Sequence, residues 1–164
     1  MPLINQVKRT YRNLPHWQQP GSTYFLTWRV IRGRELEPDD RTIALNALRF
    51  WDDKKWFVYA AVIMPDHAHA LVRPLPLDST DVAASEFHNL SDLLHSVKRY
   101  SSYTINLRRG VRGTLWQDEC YDHIIRSDRE FDETWAYTLD NPVKAGFVET
   151  PELYPWLYQA GRAD

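Results

Sequence analysis

The chain is short of cysteine, of net charge and of long apolar runs, and each shortage excludes a class of protein. Cys120 is the one cysteine in 164 residues, which excludes an internal disulfide and a cysteine-based zinc cluster and agrees with a reducing compartment. No apolar stretch approaches the ~20 residues that a membrane helix requires, and residues 1–30 carry no apolar signal-peptide core. A cytoplasmic protein with no membrane association is therefore expected. A formal net charge of −2 excludes a uniformly basic nucleic-acid binder.

What is present is an ordinary folded composition, 43% apolar and 26% charged, at a length that favours one domain over 1–164. Seven Trp and nine Tyr supply core and also stacking surface for bases. Charge is segregated. Six Lys/Arg and no acid lie between Met1 and Arg34, and five more, again with no acid, between His95 and Arg112. Such stripes bind phosphates while net charge stays near zero. Candidate phosphate contacts are Lys98, Arg99, Arg108, Arg109 and Arg112 in the second stripe. In the first, residues 1–20 read as a basic arm in which Tyr11 and Trp17 are interleaved with Lys8, Arg9 and Arg12. Residues 150–164 read as a Pro- and aromatic-rich tail packed on the domain.

Periodicity orders the elements. "TYFLTWRVI" (23–31) alternates, with Tyr24, Leu26, Trp28 and Val30 on one face, as a half-buried strand does. Asp39 or Asp40 is placed to cap a helix striped by Ile43, Ala44, Ala47, Leu48 and Trp51. "WFVYAAVIM" (56–64) and "HAHALVR" (67–73), joined by Pro65-Asp66, read as a hairpin. A long helix is expected over 90–109, stopped by Gly110, then a weaker strand over 114–125. "SDRE" (127–130) is a capping box for a helix that ends near Asn141, because Pro142 disfavours helix at the residue before it. The order β-α-β-β-α-β-α predicts an α+β fold of the ferredoxin-like split βαβ type, a four-stranded antiparallel sheet packed with helices.

On a strand, residues two apart face the same way, so His67 and His69 project together. Two imidazoles at that spacing suit one metal ion, but His-x-His alone is a weak signal. A third ligand would come from His123, Asp66, Asp122 or Asn141. Tyr137 and Asn141 are four apart and share a helical face. A tyrosine there is either a surface residue or a nucleophile, and its phenol, with a pKa of about 10, needs help to ionise.

"YFLTWRV", "VIMPDHAHALV", "LWQDECYDHIIR" and "YTLDNPVKAGFV" occur in this order and spacing. Together they resemble the REP-associated tyrosine transposases, relatives of the single-tyrosine HUH transposases of small insertion sequences, from about residue 20 to residue 155. The resemblance implies an HUH nuclease fold and a metal-dependent single-stranded DNA endonuclease and strand transferase. It implies that His67 and His69 ligate Mg²⁺ or Mn²⁺, that Asn141 stands where the insertion-sequence enzymes carry Gln, and that Tyr137 is the nucleophile of a 5′-phosphotyrosine intermediate. The implied partner is single-stranded DNA with a palindromic hairpin, which would set the protein at the nucleoid, with a monomer favoured over the dimer that the insertion-sequence relatives form. Tyr121 is the rival nucleophile, read as sheet packing, and His123 is a supporting residue. Two alternatives stand beside this reading: a hairpin-binding protein that does not cleave, and a zinc hydrolase built on His67, His69 and His123.

Overall fold

A computed structural model describes residues 18–161 other than 82 and 85. In order come β1 (Tyr24–Val30), α1 (Pro38–Arg49), β2 (Trp56–Ile63), β3 (His67–Pro74), α2 (Leu90–Arg109), β4 (Trp116–Ile124), α3 (Asp128–Lys144), a 3-10 turn (Pro151–Leu153) and β5 (Leu157–Gln159). The strand order is β4-β1-β3-β2-β5 with every pair antiparallel. The first four strands form the expected ferredoxin-like sheet.

The fifth strand corrects the four-stranded expectation. Leu157–Gln159 pairs with Ala60–Val62 of β2. Three residues give no alternation to read and no stability alone, so this strand exists only because β2 offers an edge.

Alternation decides which side chains reach which helix. Tyr24, Leu26, Trp28 and Val30 join Ala68, Ala70 and Val72 beneath α1 and α2, against Leu48, Leu94, Val97 and Ile105. The opposite face carries Phe25, Leu71 and Tyr59 and is covered by Phe131, Trp135 and Leu139 of α3. A register shift between Val58 and Ala60 places both Val58 and Ala61 toward α1 and α2, as one extra residue in a strand does. Helix α3 packs on β2 and β3.

Two helix ends differ from expectation. The cap of α1 is Glu37, not Asp39 or Asp40. Pro38 opens the first turn, and Asp40 Oδ2 accepts the Glu37 N–H at 2.8 Å. Helix α3 runs through Pro142 to Lys144. A proline in the last turn removes one backbone bond, and here its ring is buried. Ala145 N–H still reaches Asn141 O and Phe147 N–H reaches Pro142 O, both at 3.0 Å. The other end of α3 is as expected, with Ser127 Oγ accepting the Glu130 N–H at 3.1 Å. Glu130 reaches back one residue further than the capping box requires, accepting the Arg126 N–H at 2.8 Å. Among the described residues, no helix is long and apolar enough to cross a membrane.

The Pro65-Asp66 turn is held on several sides. Met64 N–H donates to His67 O at 2.8 Å, Leu36 N–H to Pro65 O at 2.7 Å, and Val30 N–H to Asp66 O at 2.9 Å. The tail supports the strand leading into it, because buried Tyr154 donates its hydroxyl to Ile63 O at 2.7 Å. The two histidines at the start of β3 are thus fixed by backbone before any side-chain contact.

Candidate active site

The register of β1 against β3 sets Thr27 opposite His69 and Arg29 opposite His67. Opposed residues of antiparallel strands share a face, so all four project toward the α3 side. Phe25 stacks on His69 with ring centroids 5.2 Å apart. The rings of His67 and His69 are 4.8 Å apart. Tyr137, in the third turn of α3, places its ring 5.5 Å from His69 and 6.0 Å from Phe25. The residues singled out by spacing therefore meet within one chain.

Hydrogen bonds select the nitrogens that face this site. His67 Nδ1 lies 2.6 Å from Asp66 Oδ1. Burial works to raise the Asp66 pKa, but bonding and charge from His67, with smaller help from its own amide and Arg29, leave it lowered. Asp66 is therefore a carboxylate that accepts, and His67 Nδ1 donates to it, so that in a neutral ring Nε2 carries the lone pair. His69 Nδ1 lies 2.7 Å from Thr27 Oγ1, and its Nε2 is buried without a hydrogen-bond partner. Burial first, then the charges of His67 and Arg29, lower the His69 pKa to about 3. A neutral imidazole whose Nδ1–H is accepted by Thr27 presents the Nε2 lone pair that a metal takes. Two adjacent imidazoles tied at Nδ1, one with an orphaned Nε2, fit a metal ion.

Among the described residues, neither a third histidine nor an acid joins the pair in a metal-binding cluster. His123 Nε2 is hydrogen-bonded to Glu130 Oε1. Asp66 is engaged with His67, and Asp122 lies opposite Leu26, on the α1–α2 side of the sheet. Among the described residues, no three His, Cys, Asp or Glu side chains converge to hold an ion. The three-histidine set of a zinc hydrolase is not assembled. Asn141 is half-buried one turn beyond Tyr137.

Tyr137 and Tyr121 differ in ways that bear on nucleophilicity. Tyr137 is 44% exposed, and Lys144 Nζ lies 5.6 Å from its ring centroid. Tyr121 stands opposite Thr27 in β4 and packs edge-on to Phe25 at 6.5 Å. Burial, followed by the charges of Asp122, Glu130 and Tyr137, raises its pKa. Its phenol is harder to ionise, as a packing role allows.

The basic stripe of α2 divides. Lys98 Nζ donates to Gln117 O at 2.7 Å and ties α2 to β4. Arg108 pairs with Glu37 at 2.7 Å and with Asp40, while Arg109 pairs with the fully buried Asp40 and donates to Glu35 O at 2.6 Å. These three hold the frame together, and Arg99 and Arg112 stay exposed. Lys8, Arg9 and Arg12 lie outside the described residues. Sequence reasoning passed over Phe25, Thr27 and Arg29, because it used only the apolar face of β1. The signal was available, since a split βαβ sheet sets β1 beside β3.

No family model matches the chain. A Haemophilus influenzae protein assigned provisionally to the REP-associated tyrosine transposases is 28% identical over 98 residues, which are 59% of this chain and 55% of that protein. An Escherichia coli K12 REP-associated tyrosine transposase is 23% identical over 138 residues, 83% of this chain and 75% of its own length. The solved structure of a REP-associated tyrosine transposase bound to a REP hairpin has the same fold, with a TM-score of 0.69, 20% identity, and coverage of 88% of this chain and 80% of that one. The four motifs and the two curated relatives point the same way, and the solved structure shares the fold: the chain is similar to the REP-associated tyrosine transposases.

Proposed function

We propose that the chain is a metal-dependent single-stranded DNA endonuclease and strand transferase that cuts beside DNA hairpins with Tyr137 as nucleophile. The observation that carries this reading is the approach of Tyr137 to His69, 5.5 Å between rings, beside the orphaned Nε2 of His69. Hairpin DNA enters as substrate from the names of the relatives and of the structural neighbour.

His67, His69 and the amide oxygen of Asn141 would hold Mg²⁺ or Mn²⁺. Two imidazoles favour Mn²⁺ over Mg²⁺ by softness, while an amide oxygen and an otherwise open sphere suit both hard ions. When bound, the ion polarises the scissile phosphate and stabilises the charge that builds on it. Asp66 and Thr27 orient the two imidazoles through Nδ1. Phe25 fixes the plane of His69 from one side. The oxygen of Tyr137 attacks phosphorus, the bond to the 3′-oxygen breaks, the phenol proton passes to solvent and the leaving oxygen becomes a 3′-hydroxyl. The phosphoester is kept as 5′-phosphotyrosine, so attack by another 3′-hydroxyl rejoins DNA without a nucleotide cofactor.

The test is covalent capture of a labelled hairpin oligonucleotide with single-stranded flanks. The adduct is expected with Mg²⁺ or Mn²⁺, absent with chelator, lost in Tyr137→Phe and retained in Tyr121→Phe. The reverse pattern in the two tyrosine variants refutes the assignment. Hairpin retardation without adduct in any divalent ion establishes a non-cleaving binder instead.

A further inference from the structure

Two cations border the Tyr137–His69 site, and no described residue gives either an anionic partner. Arg29 is exposed on β1 and opposes His67 in register. Its charge is felt at both His69 and Asp66, yet its guanidinium forms no ion pair with another described residue. The acid nearest in sequence to the histidines, Asp66, is already hydrogen-bonded to His67 at 2.6 Å. Lys144 stands in the last turn of α3, with Nζ 5.6 Å from the Tyr137 ring. It too is exposed and forms no ion pair among the described residues. Some cations elsewhere are used in packing, as Lys98, Arg108 and Arg109 are. Two that are left unpaired, one opposite His67 on β1 and one beside Tyr137 on α3, mark a place for anions supplied from outside.

We propose that Arg29 and Lys144 are backbone-phosphate contacts that hold single-stranded DNA across the Tyr137–His69 site, Arg29 on the histidine side and Lys144 on the tyrosine side. This rests on the nuclease reading and names how its substrate is gripped. The two residues suit different tasks. A guanidinium meets a phosphate with two parallel hydrogen bonds and so fixes its orientation, whereas an ammonium acts as a point charge. Arg29 therefore sets the angle at which a phosphodiester faces His67 and His69. Lys144 keeps the strand close to the Tyr137 oxygen. Such contacts carry no base information and position the strand alone.

The experiment measures affinity for a labelled single-stranded oligonucleotide across a salt series, in the Tyr137→Phe protein so that binding is separated from chemistry. Adduct formation is measured in the Tyr137 protein alongside. Arg29→Gln and Lys144→Gln are each expected to lower the slope of log affinity against log salt by roughly 0.7, the share of one phosphate contact on a single strand. Arg29→Lys should restore the slope but not the rate of adduct formation, since it returns charge without the fork. Lys54→Gln, at the far end of the sheet, removes an equal charge and should leave the slope unchanged. Arg29, Lys54 and Lys144 are all exposed, and matching melting curves check that the fold is kept. An Arg29→Gln slope equal to that of Lys54→Gln overturns the role of Arg29, and the same result in Lys144→Gln overturns that of Lys144. Adduct formation with unchanged slopes refutes the clamp and leaves the nuclease standing. Lowered slopes with no adduct in any divalent ion keep the clamp and refute the nuclease.

Discussion

At the scale of single residues, the site depends on which nitrogen each histidine leaves free. Asp66 and Thr27 make the choice, and neither touches the reacting groups. Thr27 is the more exacting case, because it is buried and faces a buried ring. Thr27→Val keeps the shape and removes the acceptor for His69 Nδ1. It is expected to weaken Mn²⁺ binding by ~10–100-fold, the usual cost of losing such an outer partner, while Thr27→Ser keeps the affinity. Titration calorimetry with Mn²⁺ reads this without any turnover, and equal affinities for parent and Thr27→Val would remove Thr27 from the site. The pair His67 and His69 was legible from strand period alone. Thr27 was not, since a threonine between apolar residues carries no mark of the partner it will meet across a sheet.

At the scale of elements, α3 must be set against the sheet so that Tyr137 arrives beside His69. Its N-terminus is anchored twice by Glu130, to the Arg126 amide and to His123 of β4. Burial works to raise the Glu130 pKa, but these two bonds and the nearby charges leave it below the ordinary 4.5. A carboxylate held below its unfolded value stabilises the fold above that value and loses the effect as pH falls through the folded one. Glu130→Gln is therefore expected to lower stability by ~1 kcal/mol near neutral pH, the size of a lost helix cap. The gap between the two melting curves should narrow as pH drops below 4.5. A gap that stays constant into acid would show that charge on Glu130 is not what anchors α3. The cap at Ser127 was readable in the sequence. The run of α3 through Pro142 was not, because burial of the ring outweighs the local preference that Pro142 imposes on Asn141.

At the scale of the molecule, His67, His69 and Tyr137 meet within a single chain, 4.8 Å and 5.5 Å apart by ring centroids. Adduct formation per chain should then be independent of protein concentration. A mixture of His69→Ala and Tyr137→Phe chains should form no adduct, and recovery of activity on mixing would mean that chains exchange α3. The tail takes part in this assembly. Tyr154 and β5 brace the end of β2, from which the Pro65-Asp66 turn departs. By itself, the sequence determined the first seven elements, the pairing of His67 with His69 on one strand face, and the shared helical face of Tyr137 and Asn141. Each of these follows from a period of two or of 3.6 residues. Only the tertiary structure decided that Thr27 and Arg29 would border the histidines, that Lys98, Arg108 and Arg109 would be used in packing, and that three residues of the tail would become a strand. Those outcomes join segments far apart in the chain, and no local pattern records a contact made only once the sheet has closed.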